Sequence, residues 1–241
     1  EISACLVGSE MCIRDRIYVA GVVHEECFEG VAAREISSFV KPDYVVIGEA
    51  SQLNIKIGQR GRGEIVLETF GKPCHSANPE KGINAVYKMA KVIEAIRTLE
   101  PTHHPVLGDG ILELTDIKSA PYPGASVVPE YCRATYDRRL LVGETKESVL
   151  APIQALLDKL MAEDPQLKAK VSYAVGKEQC YTGNEITGER FFPGWLYDEK
   201  DAFVQDVKKE LEGMGYTPEI TQYNFCLLYT SDAADDRISV D

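Results

Sequence analysis

The sequence predicts an α/β fold in which a parallel-sheet domain is interrupted by an inserted domain of the ferredoxin-like βαββαβ type. Two observations predict this organisation. Short runs of apolar, β-branched residues flank a helical pattern near the amino end, which is the order of a parallel α/β unit. Residues 57–180 then follow the order strand, helix, strand, strand, helix, strand. Helix and strand patterns resume over residues 181–225, where we expect the first domain to continue.

The first predicted unit is a strand, a helix and a strand. Residues 17–26 are an apolar, β-branched run that ends in acids, and residues 42–51 repeat this pattern. Between them, residues 29–40 carry apolar side chains at helical spacing. Because strands joined through a helix usually lie parallel in one sheet, we expect the two runs to pair in that way.

The inserted domain is predicted from strand alternation and from a helical stripe. Residues 61–72 alternate like a half-exposed strand, and residues 84–99 place apolar side chains on one helical face. That predicted face consists of Val86, Met89, Ala90, Ile93 and Ile96. The other predicted elements are strands at residues 111–120, 130–140 and 169–175 and an amphipathic helix at residues 145–162.

The residues after the inserted domain are predicted to belong to the first domain, and both ends of the chain differ in pattern from the rest. Residues 198–215 predict a helix closed by Gly, and residues 218–225 predict a strand. Residues 1–16 and 226–241 lack a clear period and resemble translated sequencing-adapter read-through. We expect both ends to be non-native, and genuine frayed termini are the alternative.

Composition argues against several kinds of partner. The 241 residues carry a formal charge of -12, which opposes nucleic-acid or anionic-membrane binding because clustered Lys and Arg hold such partners. The sequence has no apolar run of about 18 residues and no signal-peptide pattern. Its seven cysteines are irregularly spaced, which predicts reduced thiols. We expect a cytoplasmic protein that binds small molecules or metals.

Three glutamates follow the predicted strands of the first unit. Glu25 and Glu26 end the first apolar run, and Glu49 follows the second. Because ligands of an open parallel sheet bind outside the carboxyl ends of its strands, we expect these carboxylates to converge. One glutamate of the adjacent pair can then bind a metal while the other removes a proton from water. The alternative is that all three are solvated charges.

The motifs around these glutamates resemble the metallopeptidase family of acetylornithine deacetylase, succinyl-diaminopimelate desuccinylase and aminoacylase. The matching strings are GVVHEECFEG, PDYVVIGEAS and GRGEIVLETFGKPCHSANPEKGINAV. The resemblance covers most of residues 17–225 and is closest to the selenium-metabolism-linked hydrolases. It implies a zinc-peptidase catalytic domain with an inserted dimerisation or lid domain. Glu25 would be the general acid/base, and Glu26 and Glu49 would each bind one of two zinc ions.

The same resemblance implies roles for three residues of the inserted domain. His75 would cross a dimer interface and donate a hydrogen bond to the substrate carbonyl oxygen as it becomes an oxyanion. Arg139 shares a strand face with Asp137, so it would either bind a substrate carboxylate or form a surface ion pair. Many relatives have Asn where this chain has Ser126, which weakens the case for a substrate contact there.

The family's metal site needs further ligands that this sequence does not contain. They are a His in an upstream His-x-Asp motif, a bridging Asp and a distal His, so we expect a truncated, inactive fragment with an incomplete site. The intact parent is expected to be a homodimer with two Zn, Co or Mn ions. Its expected substrates are N-acyl, N-carbamoyl or peptidyl amino acids. A metal-free dimerisation or small-molecule-binding module is the alternative.

Overall fold

The computed structural model describes residues 16–28 and 30–226, together with the backbone of residues 5–6 and 237–239. The chain forms two compact units. The first unit comprises the residues up to Gln59, Gly176–Thr187 and the residues from Leu196 onward. The second unit comprises Arg60–Val175 and Gly188–Trp195.

The first unit begins with short strands and helices. In chain order these are β1 (Cys5–Leu6), β2 (Tyr18–Val19), α1 (Glu25–Phe28), α2 (Val31–Val40), β3 (Val45–Ile47) and β4 (Ile55–Gln59). The run at residues 17–26 does not form one strand, because β2 ends at Val19 and α1 begins at Glu25. β2 pairs antiparallel with β1, and the predicted parallel pairing of β2 with β3 is absent from the described residues. The turn into α1 includes His24 at a φ of 55°, a conformation that extended chain does not adopt.

The second unit is built on one antiparallel sheet. Its elements are β5 (Gly61–Phe70), a 3-10 turn (Pro79–Lys81), α3 (Ala85–Ile96), β6 (His103–His104), β7 (Gly108–Asp109), β8 (Ile111–Ala120), β9 (Tyr131–Leu140), α4 (Lys146–Glu163) and β10 (Lys168–Tyr173). The strand order is β10-β5-β9-β8 with antiparallel pairing throughout. The long strands and both α-helices lie where the sequence patterns predict them, and β6 and β7 form a separate hairpin.

The two helices pack on one face of this sheet. Ile65 and Leu67 of β5 share a buried cluster with Met89 and Leu157 of the helices. The helices start at capping residues, because Asn84 accepts hydrogen bonds from the α3 backbone and Thr145 forms a capping box with Ser148.

The buried face of α3 differs slightly from the predicted stripe. Ala90 is exposed, and Val92 is fully buried in its place. The small side chain of Ala is tolerated on either face of a helix, so its apolar character alone did not locate it. The buried residues of α3 are Ala85, Met89, Val92 and Ile96.

Two buried tyrosines of the second unit provide a matched test of its packing. The Tyr173 hydroxyl donates to the Lys146 carbonyl at 3.0 Å, whereas the buried Tyr136 hydroxyl has no hydrogen-bond partner among the described residues. Because an unpaired buried hydroxyl costs about 1–3 kcal/mol, we expect Tyr136→Phe to raise the free energy of unfolding by about 1 kcal/mol. Tyr173→Phe should lower it by about 1 kcal/mol. Denaturant unfolding measures both, and an equal loss in the two variants would contradict the unpaired state of Tyr136.

The remaining elements mostly complete the first unit. They are β11 (Val175–Gln179), β12 (Glu185–Glu189), β13 (Phe191–Phe192), β14 (Trp195–Leu196), α5 (Ala202–Gly213), β15 (Ile220–Tyr223) and β16 (Arg237–Ser239). The predicted loop before α5 contains the β11–β12 hairpin, so that prediction was wrong. β15 pairs parallel with β4, and β16 pairs parallel with β3 and antiparallel with β4. The result is a mixed sheet, with Ile55 and Ile57 of β4 packed on Val204 of α5.

Candidate functional site

The predicted catalytic glutamate and its neighbour lie on a short helix rather than at a strand end. Glu25 and Glu26 form the first turn of α1, and Glu49 follows β3 by two residues. Glu25 and Glu49 are half-buried, and Glu26 is exposed. Successive residues of a helix point about 100° apart, so the two adjacent carboxylates still face different directions.

These three carboxylates influence one another electrostatically. Burial raises the pKa of the Glu25 carboxyl above its ordinary value, and repulsion by the charges of Glu26 and Glu49 raises it further. Like charges disfavour the ionised form of a carboxyl group, and this repulsion weakens with distance. The charges of Glu26 and Glu49 therefore act on Glu25, and the convergence of the three carboxylates on one metal site stays a prediction.

The loop that carries Glu49 is anchored by a residue that the sequence analysis did not identify. The Tyr223 hydroxyl, on β15, lies 3.2 Å from the carbonyl oxygens of both Glu49 and Ala50, to which it donates. The Ala50 backbone N–H donates to Glu49 Oε1 at 2.9 Å. Tyr223 is 4% exposed, and its place in a strand pattern indicated only a core residue. These contacts fix the backbone at Glu49.

Carboxylates of this kind suit a divalent cation, but the described residues supply only part of a ligand set. Oxygen ligands from Glu26 and Glu49 fit Zn, Mn or Co. No group of three or more His, Cys, Asp or Glu side chains that could hold a metal occurs in the part of the chain that the structure describes. A zinc site normally takes three or four protein ligands, so a complete site requires donors beyond these two glutamates.

His75 of the second unit lies in a short two-stranded ladder between two loops. The Ser76 N–H donates to the Ser126 carbonyl at 2.8 Å, and the Val128 N–H donates to the Cys74 carbonyl at 2.9 Å. His75 is exposed, and the Ala77 N–H donates to its Nδ1 at 3.1 Å. Because Nδ1 accepts a hydrogen bond, the neutral ring carries its proton on Nε2. The exposed imidazole can therefore donate from Nε2 to a substrate oxygen.

Arg139 takes part in an ion-pair network on the sheet face. Its Nε lies 2.7 Å from Asp137 Oδ2, and Arg62 Nε lies 2.8 Å from Asp137 Oδ1. These residues line a polar basin of about 460 Å³ together with Glu64 and Arg133. The ion pair that the sequence analysis offered as one alternative is present, and substrate binding by Arg139 remains a prediction.

A second cavity lies in the same unit and involves none of the predicted site residues. It has a volume of about 450 Å³ and is lined by parts of α3, β8 and α4 and by Tyr136. Its walls are mainly apolar, with the ion pair between buried Arg138 and half-buried Glu144 on one side. Cavity volume alone therefore does not point to the residues with catalytic chemistry.

Known proteins resemble this chain both in its second unit and over most of its length. Residues 57–165 match the family model described as Peptidase dimerisation domain. The chain is 31% identical over 214 residues to the Escherichia coli (strain K12) protein named "Uncharacterized protein YgeY", covering 87% of this chain and 52% of that protein. It is 29% identical over 158 residues to acetylornithine deacetylase of Vibrio vulnificus (strain CMCP6), covering 62% and 41%. The chain spans about half the length of the curated relatives it matches.

A solved structure extends the likeness at the level of the fold. A tripeptidase from Staphylococcus aureus superposes with a TM-score of 0.62 at 14% identity, over 93% of this chain and 55% of that chain. At this identity the superposition shows the fold alone, a mixed α/β arrangement. Among the described residues, no helix is both long and apolar enough to cross a bilayer.

Proposed function

We propose that this chain is part of a metal-dependent hydrolase of amide bonds in N-acyl, N-carbamoyl or peptidyl amino acids. The observation that carries the proposal is the raised pKa of Glu25, a half-buried carboxyl group of the first unit on which the charges of Glu26 and Glu49 act. The match of residues 57–165 to a peptidase dimerisation domain and the relative named acetylornithine deacetylase support it. The finer assignment to the selenium-metabolism-linked branch rests on the sequence resemblance alone.

Glu25 is proposed as the general acid/base. Burial and two neighbouring carboxylates raise its pKa, which makes the deprotonated group a stronger base than an ordinary glutamate. It takes a proton from the attacking water and afterwards returns it to the leaving nitrogen. The water oxygen forms the new bond to the amide carbon, and the carbon–nitrogen bond breaks.

Glu26 and Glu49 are proposed as ligands of two divalent cations, Zn or alternatively Co or Mn. Bound cations would polarise the substrate carbonyl and lower the pKa of a nearby water. The contacts of Tyr223 with the Glu49 backbone would hold this ligand in place. The missing donors, an upstream His-x-Asp, a bridging Asp and a distal His, are proposed to lie in other parts of the whole protein.

The second unit is proposed to act as a dimerisation and lid domain. His75 Nε2–H would donate to the developing oxyanion at the site of the partner subunit, and Arg139 would bind the substrate carboxylate. Arg139 would then have to exchange part of its ion pair with Asp137 for the substrate. Cytoplasmic location and the absence of nucleic-acid or membrane partners belong to the same proposal.

A metal-free dimerisation module is the second candidate. The dimerisation-domain match favours it, because that match covers residues 57–165 and contains none of the three glutamates of the first unit. In this case Glu25, Glu26 and Glu49 would be solvated charges, and the protein would hold no stoichiometric metal.

Substitution of Glu49 in the complete gene product separates the two candidates. Loss of a ligand should weaken zinc binding at least about 100-fold in Glu49→Ala, and amidase activity should fall with it. The control is Asp43→Ala, which removes an exposed acid at the other end of β3. Zinc content by elemental analysis and hydrolysis of N-acetyl amino acids are the measurements. Full zinc and full activity in Glu49→Ala would contradict the hydrolase proposal, and a metal-free wild-type protein would favour the module.

A further inference from the structure

The ladder around His75 places a side chain beside the imidazole that the sequence analysis did not consider. His75 and Val127 are opposed in an antiparallel bridge. The backbone hydrogen bonds of this ladder lie on either side of the bridge, between Ser76 and Ser126 and between Val128 and Cys74. Neither of these hydrogen bonds involves His75 or Val127. This is the non-hydrogen-bonded pair of an antiparallel ladder, in which the Cα atoms lie about 4.5 Å apart and the side chains are closest.

The register also decides which neighbour shares the face of His75. Directly opposed residues of an antiparallel pair project to the same side, and successive residues along each strand alternate. The Val127 side chain therefore lies on the His75 side of the ladder, and the Ser126 side chain lies on the other. This places the predicted substrate-binding Ser126 away from the imidazole, and Val127 becomes the nearer candidate.

The loop that carries Val127 is exposed and has apolar side chains next to the bridge. Val127 is 41% exposed, and Tyr122 of the same loop is 77% exposed. Residues 120–129 contain no charged side chain. Pro73 lies two residues before His75, and Pro129 lies two residues after Val127. Because side chains alternate along a strand, both prolines lie on the same side as the bridge pair. A group that contacts Val127 would therefore meet apolar atoms and no counter-charge from this loop.

We propose that Val127 contacts the substituent on the reacting carbonyl carbon and selects substrates with an apolar acyl group. The inference rests on the proposed function, in which His75 Nε2–H donates to that carbonyl oxygen. The acyl substituent is bonded directly to the carbonyl carbon of the substrate. When His75 binds the carbonyl oxygen, this substituent comes within reach of the isopropyl group of Val127. A charged acyl group, such as succinyl, would lose hydration there without gaining a partner. Apolar N-acyl amino acids are therefore favoured over N-succinyl amino acids.

The test compares acyl groups on one amino acid, using the complete gene product loaded with zinc. The probes are the N-formyl, N-butyryl and N-succinyl derivatives. Val127→Ala should lower kcat/KM for the N-butyryl substrate about tenfold, mainly through KM, and should change the N-formyl value less than about twofold. Val127→Thr keeps the side-chain shape but replaces one methyl group by a hydroxyl, so it should also lower the butyryl-to-formyl ratio. Val142→Ala is the matched control, because Val142 is a 37% exposed valine elsewhere in the same unit.

The outcomes separate this inference from the proposed function. An unchanged butyryl-to-formyl ratio in both Val127 variants, with the wild-type protein active, would overturn the role of Val127 alone. A wild-type preference for N-succinyl over N-butyryl would overturn it as well. Absence of hydrolysis of all three probes by the zinc-loaded wild-type protein would overturn the proposed function. Circular dichroism is the measurement that checks whether the variants keep the wild-type fold.

Discussion

Glu25→Gln is expected to lower kcat of the zinc-loaded complete gene product by about 10²–10⁴, the usual contribution of a positioned general base. Gln has the size of Glu but cannot accept the proton of the attacking water. Zinc content should remain close to that of the wild type, because Glu26 and Glu49 are the proposed ligands. Glu35→Gln, at an exposed position on α2, removes the same charge from the same unit and should leave kcat unchanged. Unaltered kcat in Glu25→Gln would exclude Glu25 as the base.

Glu25→Gln is also expected to change how the free energy of unfolding of the metal-free protein depends on pH. Burial and the charges of Glu26 and Glu49 raise the pKa of Glu25 from its ordinary 4.5. Between the pKa of Glu25 in the unfolded state and its higher pKa in the folded state, the folded protein holds a proton that the unfolded chain has lost. The free energy of unfolding therefore falls as pH rises through that window. Glu25→Gln should be more stable than the wild type above the window and equal to it below pH 4.5. Urea unfolding with a chelator, at several pH values, measures the difference, and a difference that does not depend on pH would contradict this account.

His75→Ala is expected to lower kcat by about 10²–10³, which is the usual cost of removing one oxyanion donor. KM should change much less, because the hydrogen bond is proposed to strengthen as charge develops on the substrate oxygen. The accepting role of Nδ1 leaves Nε2–H of the neutral ring as the donor to the substrate oxygen.

Mixing two inactive variants tests whether His75 acts on the partner subunit. In a heterodimer of Glu25→Gln and His75→Ala, one site would combine an intact Glu25 with an intact His75 from the other chain. Statistical exchange of subunits should then recover about a quarter of wild-type activity. The control mixes Glu25→Gln with the double variant, which offers no intact pair. Lack of recovery after verified exchange would place His75 at the site of its own subunit.

The second unit could be predicted closely because its signals are local. The alternation of β5, β8 and β9 and the apolar stripe of α3 specify elements whose pairing follows from their lengths and order. The first unit was predicted less well. Its runs are short, β4 was not identified, and the region before Glu25 folds into a turn and a helix rather than one strand. Apolar runs of this length fit a strand, a loop or a helix equally, and long-range pairing decides among them.

For the candidate site, residue types alone could nominate Glu25, Glu26, Glu49, His75, Ser126 and Arg139, because acids after apolar runs and the resemblance of the motifs depend only on sequence. The contacts that these residues make with one another and with the rest of the chain could be read only from the tertiary structure. The anchoring of Glu49 by Tyr223 joins residues 174 positions apart in the chain, and the ion pair of Arg139 shares Asp137 with a residue from β5. Sequence periodicity carries no information about such contacts.

The sequence by itself determined the long strands and helices of the second unit, the acidic composition and the chemical groups available for catalysis, because each follows from local side-chain pattern or from residue type. Only the tertiary structure decided that Val127 rather than Ser126 faces the same side as His75, since a shift of one residue in the ladder would reverse that choice. The register is fixed by hydrogen bonds between two loops that lie about 50 residues apart in the chain, and it exists only once the sheet has formed.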